Sequence, residues 1–331
     1  MTSTTTTLAW RNIWRHPRRT LLTIGAMVFA DMLLIFMLGL QFGQYRMMID
    51  NSLRAFTGQM QIQAAGYKDE PSMHRSIPDA DVLARTIRDA TQMDAVSVRG
   101  YGFALVSSEQ RTIGAQITGV DPHHEQYVST IPGLIKQGRY LGSSTANELV
   151  VGSTLARNLK LTTGDELTLL GSGKDGSIAA TVAPVTGIFE SGNRDLDRQM
   201  LSMPIDTFRD VFSMHGDAHS IVIGGSRDNA DQITAAAGEA IRENDGLVLL
   251  GWEELLPGLK QAIQADFTSA WFMYAVLIVL VAFSMLNTML MSVLERTHEF
   301  GILLALGVRH GKLGRMIITE STVLALTGML F

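Results

Sequence analysis

Apolar residues are concentrated in two long stretches of the chain. Residues 20–42 carry one charge, Asp31, and residues 267–294 carry none. Each stretch exceeds the roughly 20 residues that a helix needs to cross a bilayer. A third apolar stretch, 316–331, contains Glu320 as its one charged residue. The pattern predicts a membrane protein with two complete transmembrane helices and the start of a third.

Asp31 is predicted to be an intramembrane polar residue. An ionisable group within a membrane helix usually faces the protein interior or a water-filled cavity. Two interpretations stay open: a contact with a neighbouring helix, or a partly hydrated position at a dimer seam with no specific role.

Basic residues flank the apolar stretches on one side of the membrane. Four precede the first stretch and four follow the second: Arg11, Arg15, Arg18, Arg19, Arg296, Arg309, Lys312 and Arg315. Because Lys and Arg accumulate on the cytoplasmic side, we expect a multi-pass membrane protein. Its N-terminus would be cytoplasmic and residues 44–266 would lie outside.

The segment before the first stretch has the pattern of an interfacial helix, with tryptophans and arginines on opposite faces. The predicted membrane-interface residues are Trp10, Arg11, Trp14, Arg15, Arg18 and Arg19. The same residues also fit a flank that merely orients the first membrane helix, and both interpretations stay open.

The outer segment alternates strand and helix signals. In residues 60–64, Met, Ile and Ala alternate with Gln61 and Gln63, which predicts a half-buried strand. Two strand–helix–strand units, at residues 60–106 and 220–250, predict a split β-α-β lobe of ferredoxin-like type. Between them, residues of about 110–215 predict an inserted β-rich lobe. The expected fold class is an α+β membrane protein with a large extracytoplasmic domain.

More local predictions accompany this division. Helices are expected at 78–92, with Val82, Leu83, Thr86, Ile87 and Ala90 on the apolar face, and at 153–160 and 229–244. Residues 252–266 are expected to be helical and to run into the second membrane helix, with Pro257 at a kink or in an early turn.

Composition narrows the function classes. Hydrophobic residues make up 46 % and charged residues 18 % of the chain, against about 25 % charged in soluble domains. The formal net charge of −5 argues against nucleic-acid binding. With no cysteine, the chain has no disulfide, thiolate metal site or cysteine nucleophile.

Three other patterns carry no chemistry that we can assign. Residues 171–177 fail the phosphate-loop pattern, because Thr168 and Asp175 occupy required positions, and a hairpin turn is predicted instead. His123, His124 and Glu125, like His215 and His219, are predicted to lie in solvated loops. Three acidic residues among arginines predict a salt-bridged loop: Glu190, Asp195 and Asp197. We predict no catalytic residue, metal or cofactor.

The strongest signal is the segment Asn287–Arg309. The second apolar stretch ends at Glu295 and Arg296, and a short apolar segment follows, with Gly307 as its stop. Gly301 and Ala305, four residues apart, provide a small-residue face for close packing. The segment suits a partner-docking helix at the cytoplasmic surface, whereas the alternative is a loop that re-enters the membrane at residue 316.

This segment resembles the coupling region of bacterial ABC-transporter permeases of the MacB/LolC/FtsX type. The matching positions are Met291, Glu295, Arg296, Glu299, Gly301, Ala305, Leu306 and Gly307. Residues 8–12 and 18–21 also resemble the family's cytoplasmic entry helix, and weaker matches lie at 152–170, 187–192 and Asp197. The resemblance implies the bacterial inner membrane as the location. His298 and Leu304 depart from the family pattern. The family has four membrane helices, so we expect this chain to be truncated within the third.

The organisation expected from the patterns and the resemblance has six parts. They are a cytoplasmic amphipathic helix (1–19), a transmembrane helix (20–43), an extracytoplasmic domain (44–266), a second transmembrane helix (267–294), a cytoplasmic coupling segment (295–314) and the start of a third transmembrane helix (315–331).

The resemblance implies a permease that transmits the motion of a separate ABC ATPase to the outer domain. It also implies a second permease copy or paralogue, and a lipoprotein or periplasmic adaptor as substrate or partner. Lipoprotein release is favoured by the sequence GIFESG at 187–192, and drug or peptide efflux is also open. The alternatives are a regulatory permease that activates a cell-wall hydrolase and, less favoured, a membrane-anchored sensor.

Overall fold

A computed structural model describes residues 17–109, 111–225, 229–242, 244 and 246–330. The chain divides into two compact units, one of residues 1–47 and 261–331 and one of residues 48–260. We call the second the outer unit.

The first unit is helical. Its elements are α1 (Pro17–Ser52, which continues into the outer unit), α9 (Pro257–Glu295, which begins there), α10 (Thr297–Ala305) and α11 (His310–Leu330). At 1.5 Å per residue, α1 and α9 are each more than about 50 Å long. Over the described residues, two helical segments are long and apolar enough to cross a membrane, Ile24–Thr57 and Pro257–Phe283.

The outer unit combines ten strands with shorter helices. The strands are β1 (Met60–Ala64), β2 (Val96–Ser107), β3 (Thr112–Val120), β4 (Ile135–Gly138), β5 (Leu149–Gly152), β6 (Glu166–Ser172), β7 (Ile178–Phe189), β8 (Met200–Pro204), β9 (Ser220–Ile223) and β10 (Leu247–Gly251). The helices are α2 (Ala80–Thr91), α3 (Pro122–Val128), α4 (Ser153–Leu159), α5 (Arg194–Gln199), α6 (Ile205–Val211), α7 (Ala230–Ile241) and α8 (Trp252–Leu255). A π-helical turn, Leu53–Thr57, follows α1, and a 3₁₀ turn, Ile131–Leu134, precedes β4.

All ten strands belong to one mixed sheet in the order β10-β1-β9-β2-β3-β8-β5-β7-β4, with β6 paired to both β2 and β7. Those pairings close a ring of six strands: β2, β3, β8, β5, β7 and β6. Most pairs are antiparallel, but β3–β8 and β5–β7 are parallel. The long strand β2 pairs with β9 as well as with β3 and β6, and it therefore joins the ring to β9, β1 and β10.

Apolar residues fill separate clusters on this sheet. The largest lies within the ring and includes Val106, Ile117, Leu167 and Leu201. A second packs α2 and α7 against β1, β2 and β9, with Ile62, Ile87 and Ile233 fully buried. A third, smaller cluster includes Val120, Val150 and Phe189.

Phe208 of α6 explains two glycines in the sheet. Gly100 and Gly119 are direct cross-strand partners on β2 and β3. A Cβ at Gly100 would lie 2.3 Å from the Phe208 ring, and one at Gly119 would lie 2.5 Å from its side chain. Two bare backbone positions are needed for α6 to approach the sheet this closely.

Most elements lie within a few residues of their predicted bounds, but three details were wrong. Gln61 and Gln63 are 6 % exposed, so β1 is buried on both faces. On α2 the buried residues are Ala80, Ala84, Ile87 and Thr91, and of the predicted apolar face Val82 is 56 % exposed. The helix predicted at 252–266 is interrupted at Leu256, and Pro257 is the first residue of α9, which confirms the early-turn position predicted for it.

Candidate coupling segment and helix junction

The coupling segment is a separate short helix. α9 ends at Glu295, Arg296 leaves the helical conformation (φ −103°, ψ 12°), and α10 starts at Thr297. The Arg296 Nε donates to Glu299 Oε2 at 3.4 Å, and its guanidinium lies 5.4 Å from the centre of the Phe300 ring. Phe300 is 8 % exposed. These contacts hold the first turn of α10 against Arg296, the residue between the two helices.

The end of α10 is a Schellman motif. Gly307 has φ +87°, its N–H donates to the Leu304 carbonyl at 3.0 Å, and the Val308 N–H donates to the Leu303 carbonyl at 3.1 Å. A left-handed residue at this position is usually glycine. The helix stop predicted at Gly307 is confirmed, and α11 begins three residues later at His310.

One face of α10 is apolar and uncovered within the described residues. Ile302 is 50 % and Leu306 is 76 % exposed, and Gly301 and Ala305 are also exposed. Their i, i+1, i+4, i+5 spacing puts the four on one side of the helix. Nothing lies within 4 Å of a Cβ placed at Gly301, so a larger side chain there meets no described atom.

A polar cluster that the sequence analysis missed ties α1 to α9. The Tyr45 hydroxyl donates to Asp266 Oδ2 at 2.5 Å, and Gln41 Nε2 donates to Tyr45 Oη at 2.6 Å. The Tyr274 hydroxyl donates to Gln41 Oε1 at 2.7 Å. The available signal was the i, i+4 spacing of Gln41 and Tyr45, which places two polar groups on one face.

A second missed site is the helix junction, where the end of α1 meets the sheet. In the π-helical turn, the Phe56 carbonyl accepts from Arg99 Nη1 at 2.5 Å, and the guanidinium lies 4.1 Å from the Phe56 ring centre. Arg99, on β2, is 0 % exposed. A buried guanidinium therefore holds the turn that continues α1.

Arg99 is neutralised by Glu125 of α3. The pair is bidentate, with Nη2–Oε1 at 2.6 Å and Nε–Oε2 at 3.1 Å, and Ser97 Oγ donates to the same carboxylate at 2.8 Å. Burial by itself lowers the pKa of Arg99, but the Glu125 carboxylate outweighs burial and raises that pKa overall. The guanidinium therefore stays charged.

The predicted solvated histidine loops were partly wrong. His123, His124 and Glu125 lie in α3, whose first turn is capped by Asp121. His219 is buried, stacks on Tyr67 at 5.2 Å and accepts a hydrogen bond from the Tyr101 N–H. Burial lowers the pKa of His219 to about 4. Among the described residues, no three acidic or histidine side chains converge as metal ligands.

The acidic cluster is not the predicted salt-bridged loop. Asp195 and Asp197 lie in α5, capped by Asn193. Asp197 is 4 % exposed and accepts hydrogen bonds from the Ser191 N–H and hydroxyl. The hairpin turn predicted between Leu170 and Ile178 is confirmed by the β6–β7 pairing.

Of the predicted membrane-interface and intramembrane residues, only some lie in the part of the chain that the structure describes. Trp10, Arg11, Trp14 and Arg15 lie outside the described residues. Arg18 is exposed in the first turn of α1, Arg19 belongs to the same helix, and Asp31 is half-buried. The structure thus places Glu299 and Gly301 on α10 and Arg296 directly before it, while Asp31 lies on a different helix.

Family models match most of the chain. One described as MacB-like periplasmic core domain matches residues 20–243, and one described as FtsX-like permease C-terminal matches residues 271–331. This chain belongs to the MacB/LolC/FtsX family of ABC-transporter permeases. Family members are inner-membrane permease components and are not themselves enzymes.

Known relatives include a lipoprotein-releasing system transmembrane protein LolC of Xylella fastidiosa strain Temecula1, 22 % identical over 234 residues. The LolC of strain 9a5c is 23 % identical over the same length. Each alignment covers 69 % of this chain and 56 % of the relative. The chain therefore spans little more than half the length of these relatives.

Two solved structures are similar. The periplasmic region of MacB from Actinobacillus actinomycetemcomitans has a TM-score of 0.46 at 16 % identity, over 63 % of this chain and 94 % of that one. The extracellular domain of the ABC-type transporter YknZ from Gram-positive bacteria has a TM-score of 0.44 at 11 % identity, over 59 % and 100 %.

Proposed function

We propose that this chain is the permease subunit that transmits the ATP-driven motion of a separate ATPase to an extracytoplasmic domain. The uncovered apolar face of α10 carries the proposal. Gly301 and Ala305 leave room for close approach, and Ile302 and Leu306 offer apolar contact area. An ATPase that closes on ATP would press on Glu295–Gly307, with the N-terminus on the same cytoplasmic side.

The helix junction supports a route for that motion. α1 continues through the π-helical turn to Phe56, which Arg99 holds by a hydrogen bond and a ring contact. Because Arg99 and Glu125 are buried together, a displacement of the turn cannot be absorbed by solvent-exposed side chains. Movement at the end of α1 would therefore reach β2 and α3.

For the outer domain we propose a split β-α-β lobe with an inserted β-rich lobe. The strands β10, β1, β9 and β2 are neighbours in the sheet, and numbered by their order along the chain they read 4-1-3-2. The helices α2 and α7 supply the two crossovers. The six-strand ring would form the inserted lobe. This division supports a receptor-like outer part rather than a simple anchor.

The substrate that we favour is a lipoprotein to be released from the membrane. The similarity to LolC proteins and the sequence GIFESG at 187–192 support it. The test is binding of an acylated lipoprotein and its unacylated form to the full chain in lipid nanodiscs. Equal binding of the two forms would contradict this substrate, whereas drug or peptide efflux would remain compatible with the permease.

The permease assignment itself is tested by affinity purification from native membranes in mild detergent, followed by mass spectrometry. We expect a stoichiometric ABC ATPase to co-purify with the chain. Stable, abundant chain without any ATPase would contradict the proposal. Co-purification of a cell-wall hydrolase with the ATPase, and no lipoprotein, would favour the regulatory permease.

A further inference from the structure

A cavity of about 600 Å³ lies in the outer unit where β1, β2, α8 and the π-helical turn meet. Apolar side chains line part of its wall, among them Phe56, Phe103 and Leu255, and polar side chains line other parts, among them Gln61, Gln63 and Gln116. Its volume falls within the range of ligand pockets. The cavity borders the helix junction at Phe56, and the coupling segment does not line it.

The glutamines of β1 leave one buried acceptor unpaired. Gln63 Nε2 donates to Gln61 Oε1 at 2.7 Å, and Gln61 Nε2 donates to the Thr57 carbonyl at 2.6 Å. This chain fixes the orientation of both amides. Gln63 is 6 % exposed, and its Oε1 has no partner among the described residues. Leaving a buried acceptor unpaired costs free energy. A ligand that donates a hydrogen bond to this atom would recover that free energy.

The cavity also borders an interrupted sheet edge. β2 pairs with β9 as far as Arg99 and with β6 from Ala104 onward, so residues 100–103 have no strand partner on that side among the described strands. The Tyr101 N–H on this edge is bonded to His219 Nδ1 at 2.9 Å. Short open edges of this kind accept an extended peptide by strand addition.

The charge of the lining narrows the ligand further. Lys68 is the one charged residue among those that line the cavity. A strongly charged ligand would find no set of opposite charges, whereas neutral amides find donors and acceptors in the glutamines. Phe103 is 70 % exposed, which offers an apolar contact to a side chain of the ligand.

We propose that this cavity binds an extended, uncharged peptide segment with apolar side chains. A backbone N–H of the peptide donates to Gln63 Oε1, and apolar side chains pack on Phe103 and Leu255. The binding needs no ATPase, so its failure would leave the proposed permease role untouched, and loss of ATPase coupling would not abolish it.

The test uses the full chain in lipid nanodiscs and a blocked heptapeptide, acetyl-SVTFSVT-amide, with an uncharged fluorescent label. We expect saturable binding by fluorescence anisotropy. Gln63→Leu should weaken binding about tenfold, because the buried acceptor is lost. Phe103→Ser, at an exposed position that does not threaten folding, should weaken it several-fold. Ile178→Ser, 79 % exposed on β7 and outside the cavity, should leave it unchanged.

A second peptide tests backbone recognition. The same heptapeptide with N-methyl groups on alternate amides keeps its side chains but loses donors, and it should bind at least tenfold more weakly. Equal binding of the two peptides, or equal binding by wild type and both cavity variants, would overturn the proposal. Saturable binding of maltoheptaose without any peptide binding would overturn it as well, in favour of a glycan site.

Discussion

Replacing Arg99 with methionine perturbs the helix junction at its most buried point. Methionine fills a similar volume but removes the charge, the donor to the Phe56 carbonyl and the contact with its ring. Glu125 then stays behind at 1 % exposure with Ser97 as its remaining side-chain donor. The structure predicts a large loss of stability in the outer unit.

The magnitude follows from the fate of Glu125. Breaking a buried pair from one side costs about 3–5 kcal/mol. Arg99→Met breaks the pair in this way, because Glu125 keeps its buried position and loses both hydrogen bonds to the guanidinium. We therefore expect a deficit of about 3–5 kcal/mol.

Pulse proteolysis of the full chain across a urea gradient measures this deficit in the outer unit. The double variant with Arg99→Met and Glu125→Leu should recover most of the stability, because no charge remains unpaired. The matched control is Arg242→Met, whose pair with Glu239 is 73 % exposed on both sides and should cost under about 1 kcal/mol. A deficit below about 1 kcal/mol, or a double variant no more stable than Arg99→Met alone, would refute the reasoning.

Three further predictions concern other residues. Gly301→Trp and Glu299→Lys should each abolish stimulation of the co-purified ATPase by substrate without unfolding the chain. Gly238→Trp, equally open on α7, should leave this stimulation intact. Unchanged stimulation in both coupling variants would contradict the docking assignment. Gly307→Val should destabilise the end of α10, by about 1 kcal/mol or more, because φ is +87°, and faster hydrogen exchange at residues 303–308 would show it. The outer unit should lose up to about 3 kcal/mol of stability as the pH falls from 6.5 towards 4, because unfolded His219 takes up a proton in this range while folded His219, with a pKa of about 4, stays neutral. His219→Gln should flatten that part of the profile of stability against pH. An unchanged profile would count against this prediction.

Sequence patterns predicted helices and strands well where interactions between residues close in sequence determine them. The strand at 60–64 follows from alternation, and the end of α10 follows from a glycine placed after an apolar segment. The burial of Gln61 and Gln63 could not be predicted, because the second face of β1 is covered by parts of the chain distant in sequence.

The helix junction was missed for the same reason. An arginine on a strand is ordinarily predicted to be exposed. The residue that neutralises Arg99, Glu125, lies 26 residues away on α3. Glu125 was predicted, with His123 and His124, to lie in a solvated loop, whereas it lies buried in α3 and pairs with Arg99. Long-range charge pairing inside a domain leaves no periodic trace in one sequence.

The absence of native cysteine makes a site-specific test of the central claim direct. Leu306→Cys, on the uncovered face of α10, is labelled with a benzophenone maleimide and irradiated in native membranes, and the adducts are identified by mass spectrometry. We predict a specific crosslink to an ABC ATPase that Ile178→Cys in the outer unit does not give. Crosslinks to lipid alone, or the same adducts from both positions, would contradict the coupling role of α10.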